Sequence, residues 1–89
     1  MENENITELK PLNDSRKSFY KKARVRQEDN KLILISYNTE VCIIENGKPF
    51  IRNTYSNTTL RHIKEFLKQN GFKADSKSQI LKDYQEDNF

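Results

Sequence analysis

The sequence predicts an α+β domain: a four-stranded antiparallel β-meander packed against one main α-helix, with a short C-terminal helix added. Three observations predict it. Four runs with strand character follow one another between residues 18 and 55, separated by turn clusters. An apolar stripe at helical spacing comes next, Leu60, Ile63 and Leu67 with Phe66 beside them. Between the third and fourth runs stands Asn46-Gly47, the strongest short hairpin signal, because both residues tolerate positive φ.

Residues 1–17 are rich in Asn and Glu, contain Pro11 and show no strand or helix period, which predicts a flexible N-terminal tail. The sheet-plus-helix domain is expected over residues 18–72. From Phe19 to Arg26 the chain alternates, with Phe19, Lys21, Ala23 and Val25 on one side and Tyr20, Lys22, Arg24 and Arg26 on the other. That is a first strand with one basic face. Gln27-Glu28-Asp29-Asn30 is a turn cluster, and Leu32-Ile33-Leu34-Ile35-Ser36-Tyr37 is apolar on both faces, as in a central strand. Asn38-Thr39 is expected to turn the chain into Val41-Cys42-Ile43-Ile44, and Asn46-Gly47 into a fourth strand from Phe50 to Tyr55. Pro49 has no amide donor, which suits an edge strand.

Two-residue turns place Ile43 opposite both Leu34 and Phe50, with Val25 completing the row. Ile33, Ile35, Cys42, Ile44 and Ile51 then fall on the other face, bordered by Arg24 and Arg26. The helix is expected from Asn57 to Asn70, with Ser56 as N-cap, Tyr55 and Leu60 as a staple around it, and Gly71-Phe72 as its stop. Residues 73–89 hold a second, short helix and a frayed end; Ser76 to Gln79 reads as a capping box and Ile80 and Tyr84 lie four apart. The expected core is Val25, Leu34, Ile35, Val41, Cys42, Ile43, Ile44, Phe50, Ile51, Leu60, Ile63, Phe66, Leu67 and Phe72. One helix covers one face of a sheet that is apolar on both, so the second face needs a cover. The Ile80-Leu81-Tyr84 segment, a second copy in a homodimer, or a target protein would each supply one.

Composition narrows the function. The chain has 89 residues, enough for one domain, with 34% hydrophobic and 33% charged residues. A single cysteine, Cys42, sits in an apolar run, so no intramolecular disulfide forms and a cytoplasmic, reducing setting is expected. No run approaches the roughly 18 apolar residues of a membrane span, so no membrane partner is expected. The net charge of +3 is mild but uneven, since Arg16, Lys17, Lys21, Lys22, Arg24 and Arg26 gather before an acid appears.

The inventory for catalysis is thin. His62 is the sole histidine and is expected as a boundary residue near Phe66. A zinc site needs more ligands than one Cys and one His, so neither metal nor cofactor is expected. Cys42 in a central strand is out of a substrate's reach, which sets aside a Cys42-His62 pair. Glu40, Arg52 and His62 could serve a metal-independent ribonuclease, although no spacing rule marks them. The basic strand is the better clue. Tyr20, Lys22, Arg24 and Arg26, with Arg61 and Lys64 on the helix, offer cations for phosphates and a ring for a base. The plain alternative is a solvated surface, because Glu28, Asp29 and Glu65 interrupt the field.

Ser18-Phe19-Tyr20-Lys21-Lys22-Ala23, Ser36-Tyr37-Asn38-Thr39-Glu40-Val41 and, above all, Tyr55-Ser56-Asn57-Thr58-Thr59-Leu60-Arg61-His62-Ile63-Lys64-Glu65-Phe66-Leu67-Lys68-Gln69 resemble a group of small phage and plasmid proteins of low-GC Gram-positive bacteria. The resemblance covers nearly all of residues 18–72. It implies a domain of unknown function carried by a mobile element. Gly is common in that group where this chain has Lys21, so a tight bend is not expected at that point. The expected function is a non-catalytic binding protein that contacts nucleic acid. A protein-binding inhibitor of a host defence system or regulatory complex is the second reading, and the ribonuclease the third.

Overall fold

The computed structural model describes residues 5–14, 18–52 and 56–85. Its elements run in the order β1 (Asn5–Glu8), β2 (Ala23–Glu28), β3 (Lys31–Ser36), β4 (Thr39–Glu45), β5 (Lys48–Ile51), α1 (Asn57–Gln69) and α2 (Lys77–Tyr84). The strands form one five-stranded antiparallel sheet in chain order, so β1 and β5 are its edges. Pro49 thus lies on an edge strand, as its missing donor requires. The α+β class is as expected, with one strand more than the four predicted.

That extra strand corrects the expectation of a tail. Asn5–Glu8 pairs with Gln27–Arg24, and Leu9 follows it into the core, its N–H donating to the Ala23 carbonyl at 2.9 Å. A strand this short and polar leaves no alternating apolar pattern to read, and the sheet edge supplies its order. The strand expected from Phe19 begins only at Ala23. Tyr20 (φ 53°) and Lys21 (φ 62°) form a two-residue turn, closed by the Lys22 N–H on the Phe19 carbonyl at 2.9 Å. A tight bend is therefore present at Lys21, where none was expected.

Register supplies the second correction. The β3–β4 hairpin turns at Tyr37-Asn38, not Asn38-Thr39, with Ser36 opposite Thr39 and Tyr37 at φ 59°. Moving a two-residue turn by one position shifts the pairing by two, which keeps every side chain on its face. A bulge between Leu34 and Ile35 then adds one residue on β4, and that single residue exchanges the faces. Leu34 consequently pairs with Cys42 rather than Ile43. The row facing the helices is Val25, Leu34, Cys42 and Ile51, with Leu32 and Ile44 beside it. Ile43 and Phe50, expected in that row, lie on the opposite face with Ile33, Ile35, Arg24 and Arg26. Val41, the bulged residue, is buried in the core.

Asn46 (φ 54°) and Gly47 (φ 77°) make the expected β4–β5 turn. On α1, Ser56 Oγ accepts from the Thr59 N–H at 3.3 Å. At its other end Phe72 N–H reaches the Leu67 carbonyl and Gly71 N–H the Lys68 carbonyl, with Gly71 at φ 85°. These are the paired bonds of a glycine-terminated helix. The Tyr55 staple and the end of the fourth predicted strand fall on residues 53–55, outside the described residues.

On α2, Ser76 Oγ accepts from the Gln79 N–H, while Gln79 Oε1 takes the Asp75 N–H instead of closing a box on Ser76. Ile80 buries α2 against the same core that holds Ile63, Phe66 and Leu67 of α1, so both helices cover one face. Leu9, Phe19, Ala23, Ala74 and Ile80 join the core beyond the residues expected, and Leu60 and Phe72 border it.

Candidate functional site

Two turns and one helix meet at one end of the sheet. The Tyr20-Lys21 turn leads into β2, the Tyr37-Asn38 turn leaves β3, and the Tyr37 N–H donates to the Lys22 carbonyl at 2.8 Å, tying the turns together. Beside them lies the first half of α1. The three segments enclose a hollow of about 220 Å³ lined by Ser18, Phe19, Tyr20, Lys22, Tyr37, Thr58, Arg61 and His62.

The floor of the hollow is built from buried groups. His62 is 2% exposed, its ring edge-on to Phe19 at 4.6 Å between centroids and 5.8 Å from the Tyr37 ring. Its Nδ1 lies 2.8 Å from Ser36 Oγ, which is 3.1 Å from Thr59 Oγ1. The histidine thus pairs its Nδ1 inside the fold. The expectation of a boundary residue is therefore corrected: His62 is core, sitting under Phe19.

The rim is aromatic and cationic. Tyr20 is 73% exposed and Tyr37 45%, and Lys22 Nζ stands 5.5 Å from the Tyr37 ring centroid. Arg61 closes the helix side and reaches Asp14 Oδ1 at 2.8 Å. Both tyrosines have left-handed backbone (φ 53° and 59°), a conformation that costs a non-glycine residue about 1–2 kcal/mol.

The six residues expected to contact a ligand are thus divided. Tyr20, Lys22 and Arg61 line the hollow. Arg61 also borders a second depression of about 470 Å³, where Lys64 and Lys68 of α1 lie with Asn13, Asp14 and Glu65. Arg24 and Arg26 stand on the opposite face of the sheet. Arg26 Nε lies 2.8 Å from Glu28 Oε2 and its Nη2 bonds to Glu40, while Arg24 Nη2 donates to Asn38 Oδ1 at 3.1 Å. The hydrogen bond that Arg26 donates to the Glu40 carboxylate raises the Arg26 pKa above its ordinary value. Tyr37, expected at the end of a strand, lies instead in the turn that lines the hollow, and the Asn that follows it is the local signal of that turn.

The ribonuclease trio does not assemble. Arg52 lies 3.7 Å from Glu40 at the Arg26 face, whereas His62 is buried beneath the helix layer on the other side. Cys42 is fully buried, and desolvation pushes its pKa up to about 12, far from a reactive thiolate. Among the described residues no group of three His, Cys, Asp or Glu side chains could hold a metal, and no helix is long and apolar enough to cross a membrane.

These features define a small α+β protein whose antiparallel sheet carries both helices on one side and an aromatic, cationic hollow at one end. The chain belongs to the family of unknown function DUF8033, which matches residues 7–82, from within β1 to within α2. No curated protein and no solved structure matches it.

Proposed function

We propose that this is a non-catalytic cytoplasmic protein of a phage or other mobile element that binds single-stranded nucleic acid in the Tyr20–Tyr37 hollow. The observation that carries the reading is the placement of the two tyrosines. Each sits in a left-handed turn position where Asn or Gly would fold at lower cost; Tyr20 leaves its ring largely in water, and Tyr37, which packs on His62 and Lys22, is still 45% exposed. Folding alone gives no reason for a ring at Tyr20. A base stacked on such a ring gains about 1–3 kcal/mol, and Lys22 and Arg61 stand where its phosphates would pass. The mobile-element origin rests on the resemblance of the Ser18, Ser36 and Tyr55 motifs.

The test is fluorescence anisotropy with a labelled oligothymidylate or oligouridylate across a salt series. Two cations predict a slope of log K against log salt of about −1.4. Tyr20→Asn and Tyr37→Asn should each weaken binding by roughly 5- to 150-fold. Tyr20→Asn should do so with thermal stability equal to or above that of the wild type. Absence of binding at low salt, or unchanged binding in both variants, would reject the proposal.

A further inference from the structure

Both helices pack on one face of the sheet, and among the described residues no element covers the other. On that face Ile33 and Ile35 are buried at the centre, flanked by Arg24 and Arg26, while Ile43 and Phe50 are half-buried and Ile6 is 37% exposed. The C-terminal helix, one of the covers considered from sequence, lies on the opposite side with Ile80 in the main core.

We propose that this face binds the same face of a second copy of the chain, with the twofold axis running along β3. Such an axis exchanges β2 with β4 and β1 with β5 while keeping each residue row level. Ile6 shares a row with Arg26, Ile33, Ile43 and Phe50, so Ile6 of one copy meets Phe50 of the other, over a centre of paired Ile33 residues. Glu8, Arg24, Ile35 and Glu40 form the next row, so Arg24 of each copy meets Glu40 of the other. Glu8 likewise approaches Arg52, which follows β5 and reaches Glu40 within its own chain.

The charges choose this occupant. Glu8 and Glu40 stand among Arg24, Arg26 and Arg52, so neither a polyanion nor a polycation complements the face, whereas its own rotated copy does. Arg24 Nε is buried without a hydrogen-bond partner in the single copy, and sheets packed about 10 Å apart bring a carboxylate within its reach. Three placements oppose the arrangement: in the far row Glu28 falls over Glu45 and Lys31 over Lys31 of the second copy, with Lys48 beside them, and in the central row Arg26 falls over Ile43. Strands spaced about 4.8 Å give a face of roughly 24 by 20 Å, about 1,000 Å² over both copies. That is the lower limit of a specific interface, so the dimer is weak.

Sedimentation equilibrium from low micromolar to near-millimolar concentration tests it. The wild type should pass from monomer to dimer across that range. Arg24→Glu and Glu40→Arg should each weaken association at least tenfold, and the double swap should restore it to within about threefold of wild type. Glu8→Arg and Arg52→Glu, alone and together, repeat the test without the Arg26–Glu40 pair should either first variant fail to fold. A wild type that stays monomeric throughout, or double swaps no better than their singles, overturns the proposal. Tyr37→Asn should leave association unchanged, which keeps this result separate from the fate of the hollow.

Discussion

Glu65 holds the N-terminal segment to α1, and replacing it shows how much that hold contributes. Its side chain is 2% exposed, and its carboxylate accepts from the Asn13 N–H at 2.8 Å, Asn13 Nδ2 at 3.0 Å and Gln69 Nε2 at 2.7 Å. Burial pushes its pKa up, but the donors from Gln69, Asn13 and Leu12 outweigh it, and the net position is below the ordinary value. Glu65→Gln keeps the shape and turns one acceptor into a donor aimed at donors. Losing one charge-assisted bond and opposing another amounts to about 2–3 kcal/mol. At about 4–8 °C per kcal/mol for a domain of this size, Tm should fall by roughly 8–24 °C at neutral pH. The group's pKa is lowered by folding, so its contribution is complete above about pH 4.3 and disappears as pH falls through the folded value. The Gln variant lacks that contribution at every pH. Thermal melts followed by circular dichroism should therefore show two curves that converge in acid. A variant within about 3 °C of wild type at neutral pH, or a gap that persists undiminished in acid, would refute the reasoning.

Four further outcomes follow from backbone and burial. Lys21→Gly should raise stability by about 0.5–1 kcal/mol in urea unfolding, because glycine relieves the φ of 62°. Gly71→Ala should lower it by about 1–2 kcal/mol; an added Cβ meets nothing within 4 Å, so the whole cost comes from φ 85°. Cys42 should resist a thiol reagent in the native protein and react on unfolding; because folding raises its pKa, the stability from its neutral thiol is complete below about pH 8.5 and declines above it, measurable as a falling urea midpoint in alkali. His62→Ala should cost about 3–5 kcal/mol, as for a large buried ring, and expose Ser36 Oγ in the core.

Helix α1 was legible to within one residue, ending at Gln69 rather than Asn70, because its signals are local: Ser56, the Leu60-Ile63-Leu67 stripe and Gly71 each act within a turn or two. The Asn46-Gly47 hairpin was legible for the same reason. What sequence reading missed depends on distant partners. Asn5–Glu8 becomes a strand only because β2 offers an edge, and Leu9 is buried only because Ala23 holds it there. Tyr20, Lys21 and Tyr37 adopt left-handed backbone against their own preference, imposed by neighbouring structure. Of the candidate site, Tyr20, Lys22 and Arg61 were found through the basic strand and the polar helix face, while Tyr37 was hidden inside an apolar run.

The bulge at Val41 links these results. Without it, the turn at Tyr37-Asn38 would still place Tyr37 at the hollow, because a two-residue shift preserves parity. Ile43 and Phe50, however, would turn toward α1, and Cys42 and Ile51 would turn away from it. The bulge therefore decides what the open face contains while leaving the hollow in place. Deleting Val41 tests the register: it joins Glu40 to Cys42, so Ile35 stays opposite Glu40, Leu34 opposite Cys42 and Ile43 opposite Phe50 in an unbulged ladder. A chain that folds without Val41 should therefore keep both the aromatic rim and the Ile6–Phe50 face, bind oligothymidylate and dimerise like the wild type, and lose only the stability that the buried Val41 side chain contributes, about 1–3 kcal/mol. A folded variant that lost dimerisation alone would show that the faces had exchanged and would refute this register.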